Sequence, residues 1–209
     1  MPSGQNRRQA KNDKREAILQ AAWKLIRHYG YNKTTIEDIA QEAGVGKGTA
    51  YLYFKSKSEI MLSITELTND RITADLERIA GGPGSPEERV RACVLHRIVR
   101  LFDIVQKSPH GAEVISSMLP EIVERLDRYV ACYGELFGKL LREGAEAGDL
   151  DIPDPRATGR LLADLFEFLT PPYYRFKSRR TLERFAGEVL DVVFCGLRRH
   201  GAGKDEARP

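Results

Sequence analysis

Apolar residues recur every three or four positions along most of the chain, a spacing that gives an α-helix one buried face. The first such series contains Ile18, Ala21, Ala22, Leu25, Ile26 and Tyr29. No segment alternates apolar and polar residues in the manner of a strand, and no short internal repeat is present. The pattern therefore predicts an all-α protein of about nine helices.

Capping residues, prolines and glycines indicate where these helices begin and end. The predicted starts are Asp13 with Glu16, Thr34 with Glu37, Ser56 with Glu59, Ser85 with Glu88, Ser108-Pro109, Leu119-Pro120 and Asp154-Pro155. Gly30 and Gly44 are expected to end the first two helices. A long helix over about residues 56–80 precedes the sharpest break in the chain, at residues 81–84.

Residues 34–54 differ from the rest because their two predicted helices are short and a glycine turn at Gly44 joins them. Two short helices joined in this way form a helix-turn-helix. The first has the apolar spacing to pack on a core, whereas the second, about residues 47–53, carries small, hydrogen-bonding side chains. Lys47 can bind a phosphate or a guanine edge, and Thr49 offers a hydroxyl and a methyl group to phosphates and bases. The segment therefore predicts a helix that enters a groove of DNA.

The distribution of charge supports a polyanionic partner for the N-terminal region. The net charge is only +3, but residues 1–57 contain eleven Lys and Arg against five Asp and Glu. The remainder contains 22 basic against 25 acidic residues. A solvated basic tail would explain residues 1–12, but not Lys47, Lys55 and Lys57, which lie inside the patterned segment.

Composition argues against several other classes of protein. No apolar run approaches the roughly 18 residues that span a bilayer, and the polar start lacks the apolar core of a secretory signal. We therefore expect no membrane partner and a cytoplasmic location. Cys93, Cys132 and Cys195 lack zinc-site spacing and fall in apolar helical patterns, which predicts small core residues; a redox-sensing thiol is the alternative. No grouping of nucleophiles or carboxylates indicates an enzyme, a metal site or a cofactor.

Residues 12–72 resemble the DNA-binding domain of the tetracycline-repressor (TetR) family of transcriptional regulators. The matching segments are Tyr29-Gly30-Tyr31, Thr34-Thr35-Ile36-Glu37-Asp38-Ile39-Ala40, Ala43-Gly44-Val45 and the run from Lys47 to Lys57. Two positions depart from the family pattern. Gly46 stands where a capping serine is common, and Ala50 stands where a larger aliphatic residue usually packs the recognition helix. Neither change removes a group that is expected to contact DNA.

The resemblance implies a role for individual residues and double-stranded operator DNA as the partner. Groove-facing positions are Lys47, Gly48, Thr49 and Tyr51, phosphate-facing positions are Thr35, Tyr53, Lys55 and Lys57, and Thr34 completes the predicted DNA-binding set.

The resemblance also implies a division of the chain. The implied parts are a basic flexible arm (1–11), a helix-turn-helix domain (12–72), a helical ligand-binding and dimerisation domain (73–200) and a disordered tail (201–209). The helices expected over Asp154–Leu169 and Thr181–Arg199 resemble the pair that packs on its own copy, which implies a homodimer. Their apolar stripes would also suit an internal core.

The predicted residues for an unidentified small-molecule effector combine aromatic and polar side chains. They are His96, Arg100, Phe102, Met118, Tyr129, Tyr133, Phe137 and Phe166. His96 and Arg100 are four positions apart and share a helix face. Core packing of the aromatic residues and a structural role for His96 are the alternatives. The mixture suits an apolar ligand, with or without a negative charge.

These features predict a dimeric repressor that binds a palindromic operator and leaves it when a small molecule binds. A transcriptional activator of the same fold is the nearest alternative. A DNA-acting enzyme with a helix-turn-helix, such as a recombinase, would need catalytic groupings that the sequence lacks. An architectural DNA protein would not need a C-terminal part more than twice the size of its DNA-binding part.

Overall fold

The computed structural model describes residues 4–110, 120–170 and 176–198. The helices are α1 (Gly4–Tyr29), α2 (Ile36–Glu42), α3 (Lys47–Tyr53), α4 (Lys57–Ala80), α5 (Pro86–Gln106), α6 (Pro120–Glu146), α7 (Pro155–Glu167) and α8 (Arg179–Leu197). Within these ranges the only extended pairing is an isolated antiparallel bridge between Leu150 and Arg198. The all-α prediction is confirmed. Most of the helix expected after Ser108-Pro109 lies outside the described residues.

Two of the predicted helix starts are wrong. Helix α1 begins at Gly4 and runs through Asp13 without a break, because the polar residues before Asp13 continue the helix. Helix α2 is capped by Thr35 and Asp38 rather than by Thr34 and Glu37. The backbone N–H of Asp38 donates to Thr35 Oγ1 at 3.1 Å, and the N–H of Thr35 donates to Asp38 Oδ2 at 2.9 Å.

Other predicted starts are confirmed or move slightly. Ser85 and Glu88 form a reciprocal capping box, and Asp154 caps α7 ahead of its first-turn proline. At α4, Ser56 accepts from the N–H of Glu59, but the Glu59 carboxylate accepts from the N–H of Lys55. Helix α8 begins before the predicted Thr181, because its N-cap is Ser178.

The first compact unit consists of Met1–Arg71 together with Asp103–Leu126. Its core is built by α1, α2, α3 and the start of α4, with Ile18, Ile26, Ile39, Phe54 and Ile60 fully buried. Apolar side chains at helical spacing on these four segments bury one another, and their burial drives the fold. Tyr29, predicted on the buried face of α1, is instead 53% exposed at the end of the helix.

The second unit consists of Ile72–Phe102 together with Asp127–Pro209. Its core contains Leu76, Val94, Phe137 and Phe194, contributed by α4, α5, α6 and α8. Helices α6 and α7 approach so closely at Gly159 that their backbones are in contact. Helix α4 is divided between the units after Arg71. The domain limits proposed from the sequence stay a prediction.

The cysteines differ from one another in burial. Cys93 is buried in the second unit, and desolvation raises the pKa of its thiol to about 11. Cys132 and Cys195 are exposed, so the prediction of core cysteines is wrong for these two. Cys132 and Cys195 lie on faces of α6 and α8 that point away from the core. The prediction counted cysteine as an apolar residue and therefore assigned both to the buried faces. In the described part of the chain, no helix is both long and apolar enough to cross a membrane.

Candidate DNA interface

A tight turn fixes the angle between α2 and α3. Gly44 in this turn has φ +68°, in the left-handed region that favours glycine. The N–H of Gly44 donates to the carbonyl of Gln41 at 3.1 Å, and the N–H of Val45 donates to that of Ala40 at 2.9 Å. These bonds satisfy the free carbonyls at the end of α2 and direct the chain into α3 at once.

Helix α3 contributes little to its own core. Ala50 is its only buried residue, and Phe54, directly after the helix, anchors its C-terminal end. Small Ala50 fits against the core at the position where the family usually has a larger residue, which lets α3 lie close to the core. Leu52 is 77% exposed, an apolar group on the outer surface of α3 that sequence reasoning missed. Helix α3 therefore offers most of its side chains to a partner.

Lys47 is exposed but already paired. Its ammonium forms an ion pair with Glu37 of α2. The hydrogen bond that Lys47 donates to the Glu37 carboxylate raises the pKa of Lys47 and lowers the pKa of Glu37. A phosphate or a base that binds Lys47 must therefore compete with a carboxylate. Glu37 was predicted to form a capping box because it follows Thr34 by three residues, and its ion pair with Lys47 was therefore missed.

Gly48, by contrast, has no internal reason to be glycine. Its backbone is helical, and a Cβ built on it would meet nothing within 4 Å. A glycine in the middle of a helix lowers the stability of that helix by about 1 kcal/mol relative to alanine. The space beside Gly48 is therefore open for the close approach of an external surface.

The predicted phosphate-facing residues differ in solvent exposure and in the hydrogen bonds that they already make within the chain. Thr35 is exposed, and its hydroxyl donates to Asp38 Oδ2 at 2.6 Å. Tyr53 is half-buried, whereas Tyr51, predicted to face the groove, is exposed. The ammonium of exposed Lys55 donates to the carbonyl of Tyr51 at 3.1 Å, at the C-terminal end of α3.

Lys57 and Thr34 lie in a more internal environment. The ammonium of Lys57 donates to the carbonyls of Tyr31 at 2.5 Å and Thr34 at 2.9 Å, and lies 4.1 Å from the centroid of the Tyr31 ring. Thr34 is buried, and its hydroxyl donates to the carbonyl of Gly30 at 2.8 Å. Both residues hold the loop between α1 and α2, so a DNA contact through either polar group would compete with these bonds.

Residues 18–64, which contain this helix-turn-helix, match the family of bacterial regulatory proteins called the tetR family. The HTH-type transcriptional regulator YhgD of Bacillus subtilis is 27% identical over 197 residues, which cover 88% of this chain and 97% of YhgD. A solved TetR/AcrR-family regulator from Thermobifida fusca is 26% identical with a TM-score of 0.70, over 90% of this chain and 100% of that one. The chain belongs to the tetR family. It is a DNA-binding transcriptional regulator with a helix-turn-helix.

The fold of this tetR-family regulator also matches that of SmeT. SmeT is the repressor of the Stenotrophomonas maltophilia multidrug efflux pump SmeDEF, and it has also been solved in complex with triclosan. The SmeT structure is 24% identical with a TM-score of 0.63, over 94% of this chain and 98% of that one. This likeness extends through both units.

The second unit of the regulator brings together some of the predicted effector residues. Phe102, Tyr133, Phe137 and Phe166 are buried in one core, and Tyr129 packs against it. Burial in one core suits core packing and a ligand site alike, so the role of these residues stays a prediction. Met118 lies outside the described residues.

The two predicted polar residues of the effector site have other surroundings. His96 is half-buried, with Nε2 3.0 Å from Asp75 Oδ2, and Arg100 is exposed. The guanidinium of Arg78 and, less strongly, His96 hold the pKa of Asp75 below its ordinary value. His96 therefore connects α5 to α4.

Sequence reasoning missed a buried polar cluster that contains Arg97, one residue after His96. Arg97 is 6% exposed, donates from Nη2 to Glu167 Oε2 at 2.5 Å, and lies 4.7 Å from the centroid of the Tyr133 ring. Burial raises the pKa of the Tyr133 hydroxyl. The available signal was an arginine on the apolar stripe of α5, three positions after Val94.

Proposed function

We propose that this regulator is a repressor that binds a palindromic operator as a homodimer and leaves it when a small molecule binds the second unit. The observation that carries the DNA part is the surface of α3, where all residues but Ala50 are at least partly exposed. SmeT, which shares the fold, is a repressor. Its complex with triclosan supports a small molecule as the effector.

In this proposal α3 enters the major groove of DNA. Lys47, Gly48, Thr49 and Tyr51 face the base edges, with the bare backbone at Gly48 allowing α3 to lie deep in the groove. Thr35, Tyr53 and Lys55 contact phosphates and set the register, as backbone contacts do in other DNA-binding proteins. Thr34 and Lys57 support this surface by holding the loop before α2.

Exposed apolar side chains on α7, directly after it and on α8 support the homodimer. The exposed fractions are 68% for Leu161, 42% for Leu165, 65% for Phe168, 42% for Phe185 and 76% for Val192. Large apolar side chains that are exposed on neighbouring elements indicate a protein–protein interface. Packing of α7 and α8 on the same helices of a second copy would cover them with closed twofold symmetry. Two copies of α3 would then meet two half-sites about one helical turn apart.

Release requires that the effector prefer one conformation of the dimer. Helix α4 belongs to both units, so a shift of its C-terminal part moves the segment that follows α3. The effector must bind the released conformation more tightly than the DNA-bound one, because equal affinity would shift nothing. Coupling of about 1–3 kcal/mol is usual, and operator must weaken effector binding by the same factor.

Selection of bound sequences from random DNA, followed by a screen of small molecules for operator release, tests this proposal. We expect a palindromic motif, and an effector whose affinity falls when operator is saturating. Equal effector affinity with and without operator contradicts induced release. Transcription from the selected operator, measured with and without the gene, distinguishes a repressor from an activator because the two change it in opposite directions.

A further inference from the structure

One charged side chain lies inside the core of the second unit. Arg97 follows Val90, Cys93 and Val94 on the buried face of α5, at spacings where an apolar residue is expected. Arginine is almost never fully buried unless it is paired. Its guanidinium has five N–H donors, and each needs an acceptor when it is buried.

The pairing of Arg97 is incomplete. Nη2 donates to Glu167 Oε2 at 2.5 Å, and the guanidinium lies over the ring of Tyr133. Nε is buried and has no hydrogen-bond partner. Glu167 also accepts a hydrogen bond from the Thr170 hydroxyl, on Oε1 at 3.0 Å. Glu167 thus uses one donor of the guanidinium and leaves the adjacent one unmet.

Stability alone does not account for this cluster. Removing two charges from water costs more than an imperfect ion pair returns, and apolar residues of the same size often give a fold that is as stable or more stable. A buried donor without an acceptor adds a further penalty. Buried groups with unmet hydrogen-bonding capacity inside an otherwise apolar core are what a ligand site requires.

We propose that Arg97 anchors the carboxylate of an apolar effector, which replaces Glu167 on the guanidinium. This inference rests on the proposed function of the second unit as an effector-binding unit. A carboxylate can accept from Nε and Nη2 together in the two-pronged geometry that arginine favours. It would make two bonds where Glu167 makes one. The buried aromatic residues Phe102, Phe137 and Phe166 belong to the same core and suit the apolar part of the ligand.

The displaced Glu167 carboxylate can reach solvent. Its side chain is 24% exposed, so a change of rotamer takes the carboxylate into water. Glu167 is the last residue of α7, which also carries exposed Leu161 and Leu165 of the proposed dimer face. Loss of the Arg97 contact would free the end of α7 beside that face. This arrangement links occupation of the site to the spacing of the two α3 helices.

The test compares carboxylates with uncharged analogues of the same shape on the full-length protein. Calorimetry measures binding of hexanoate, decanoate and phenylbutyrate, each beside its alcohol and its methyl ester. We expect a carboxylate to bind about ten- to a hundredfold more tightly than its alcohol, as a charge-assisted bond predicts. No preference for the carboxylate in any pair overturns the inference.

Variants connect this preference to Arg97. Arg97→Gln should reduce carboxylate binding to the level of the alcohol, and Glu167→Gln should tighten it because the internal competitor loses its charge. Arg142→Gln removes an exposed charge on α6 and is the matched control, expected to change nothing. If Arg97→Gln fails to fold, the double variant Arg97→Gln/Glu167→Gln removes both charges together. A folded double variant that still prefers the carboxylate, or a Glu167→Gln variant that binds it more weakly, overturns the inference.

Operator binding, measured by fluorescence anisotropy on the same samples, separates this inference from the proposed function. Carboxylates that bind through Arg97 but leave operator bound support the site and contradict induced release. Alcohols or esters that release operator from wild type and Arg97→Gln alike support induced release and overturn the role of Arg97. Release by carboxylates alone, lost in Arg97→Gln, supports both.

Discussion

Two helical glycines, one in each unit, show how differently the two parts of the molecule use their residues. A Cβ at Gly48 on α3 would meet nothing within 4 Å, whereas a Cβ at Gly159 on α7 would overlap the backbone nitrogen of Gly138. The first glycine serves nothing inside the chain, and the second is required by the packing of α6 against α7. At Gly48 the backbone of α3 is therefore open to an external partner, whereas at Gly159 the backbone of α7 is covered by a neighbouring helix of the same chain.

The largest effect is expected from Gly159→Ala. The added methyl group would also lie 2.6 Å from the carbonyl oxygen of Gly134, so α6 and α7 must separate. Overpacking of this kind costs about 1–3 kcal/mol, and a clash with the backbone of α6, which cannot turn aside like a side chain, puts this variant at the upper end or beyond. Urea unfolding at a fixed protein concentration measures the loss. The control is Gly187→Ala on α8, where the Cβ has open space, and it should stabilise by up to about 1 kcal/mol. Equal stability of both variants would show that the helices do not cross so closely.

Gly48→Ala should separate stability from DNA binding. Alanine is the better helix former, so the free energy of unfolding should rise by up to about 1 kcal/mol. The methyl group would hold α3 away from the groove, and the free energy of operator binding should weaken by about 1–3 kcal/mol, the range seen for one mismatched base pair. Unfolding curves and operator titrations on one preparation check both changes. Unchanged operator affinity would contradict close approach at Gly48.

The helix-turn-helix was predictable because its determinants are local. Residues 47–53 were predicted as a helix and are α3. The turn at Gly44 and the polar residues of α3 lie close together in the sequence, so a short segment was enough to predict them. The environments of Thr34 and Lys57 were not predictable in the same way. Lys57 lies 26 residues after Tyr31, and only the folded loop brings its ammonium to that carbonyl.

Lys55 and Lys57 therefore should respond differently to replacement by alanine. Lys55 is exposed, so Lys55→Ala should weaken binding to all sequences and lower the salt slope by about one per subunit. Lys57→Ala removes two internal hydrogen bonds, each worth about 0.5–1.5 kcal/mol, and should mainly lower stability. Salt-dependent binding and thermal unfolding of both variants check this. A full unit of salt slope lost in Lys57→Ala, with stability unchanged, would return Lys57 to the phosphate-facing set.

The second unit shows the limit of sequence reasoning more clearly. The aromatic residues Tyr133, Phe137 and Phe166 were identified, but periodicity cannot tell a tightly packed core from a ligand site. Arg97 was missed because its partner Glu167 lies 70 residues away. The role of a charged residue on an apolar stripe can be assigned only when the fold shows which groups surround it.

The smallest expected effect concerns Glu37, the carboxylate that pairs with Lys47 at the start of α3. Glu37→Gln frees Lys47 from its ion pair and removes a negative charge beside the predicted path of the phosphates. An ion pair between exposed side chains is weak because water screens it, so DNA binding should strengthen only a fewfold. The salt slope should steepen by up to about one per subunit, because Lys47 then displaces a counterion fully. Titrations at several salt concentrations measure both quantities.

A control variant and the pH dependence of binding distinguish the Glu37–Lys47 ion pair from a general loss of negative charge on α2. Glu42→Gln removes the same charge from the same helix, but Glu42 pairs with Lys24 of α1 at 2.5 Å, so this control measures the loss of a carboxylate that does not hold Lys47. The hydrogen bond from Lys47 lowers the pKa of Glu37, so the ion pair is present at neutral pH and is lost as pH falls through that lowered value. Wild-type binding should therefore approach that of Glu37→Gln in acid, with uptake of a proton when DNA displaces the carboxylate. Equal binding by both glutamine variants at neutral pH would show that Lys47 does not meet DNA.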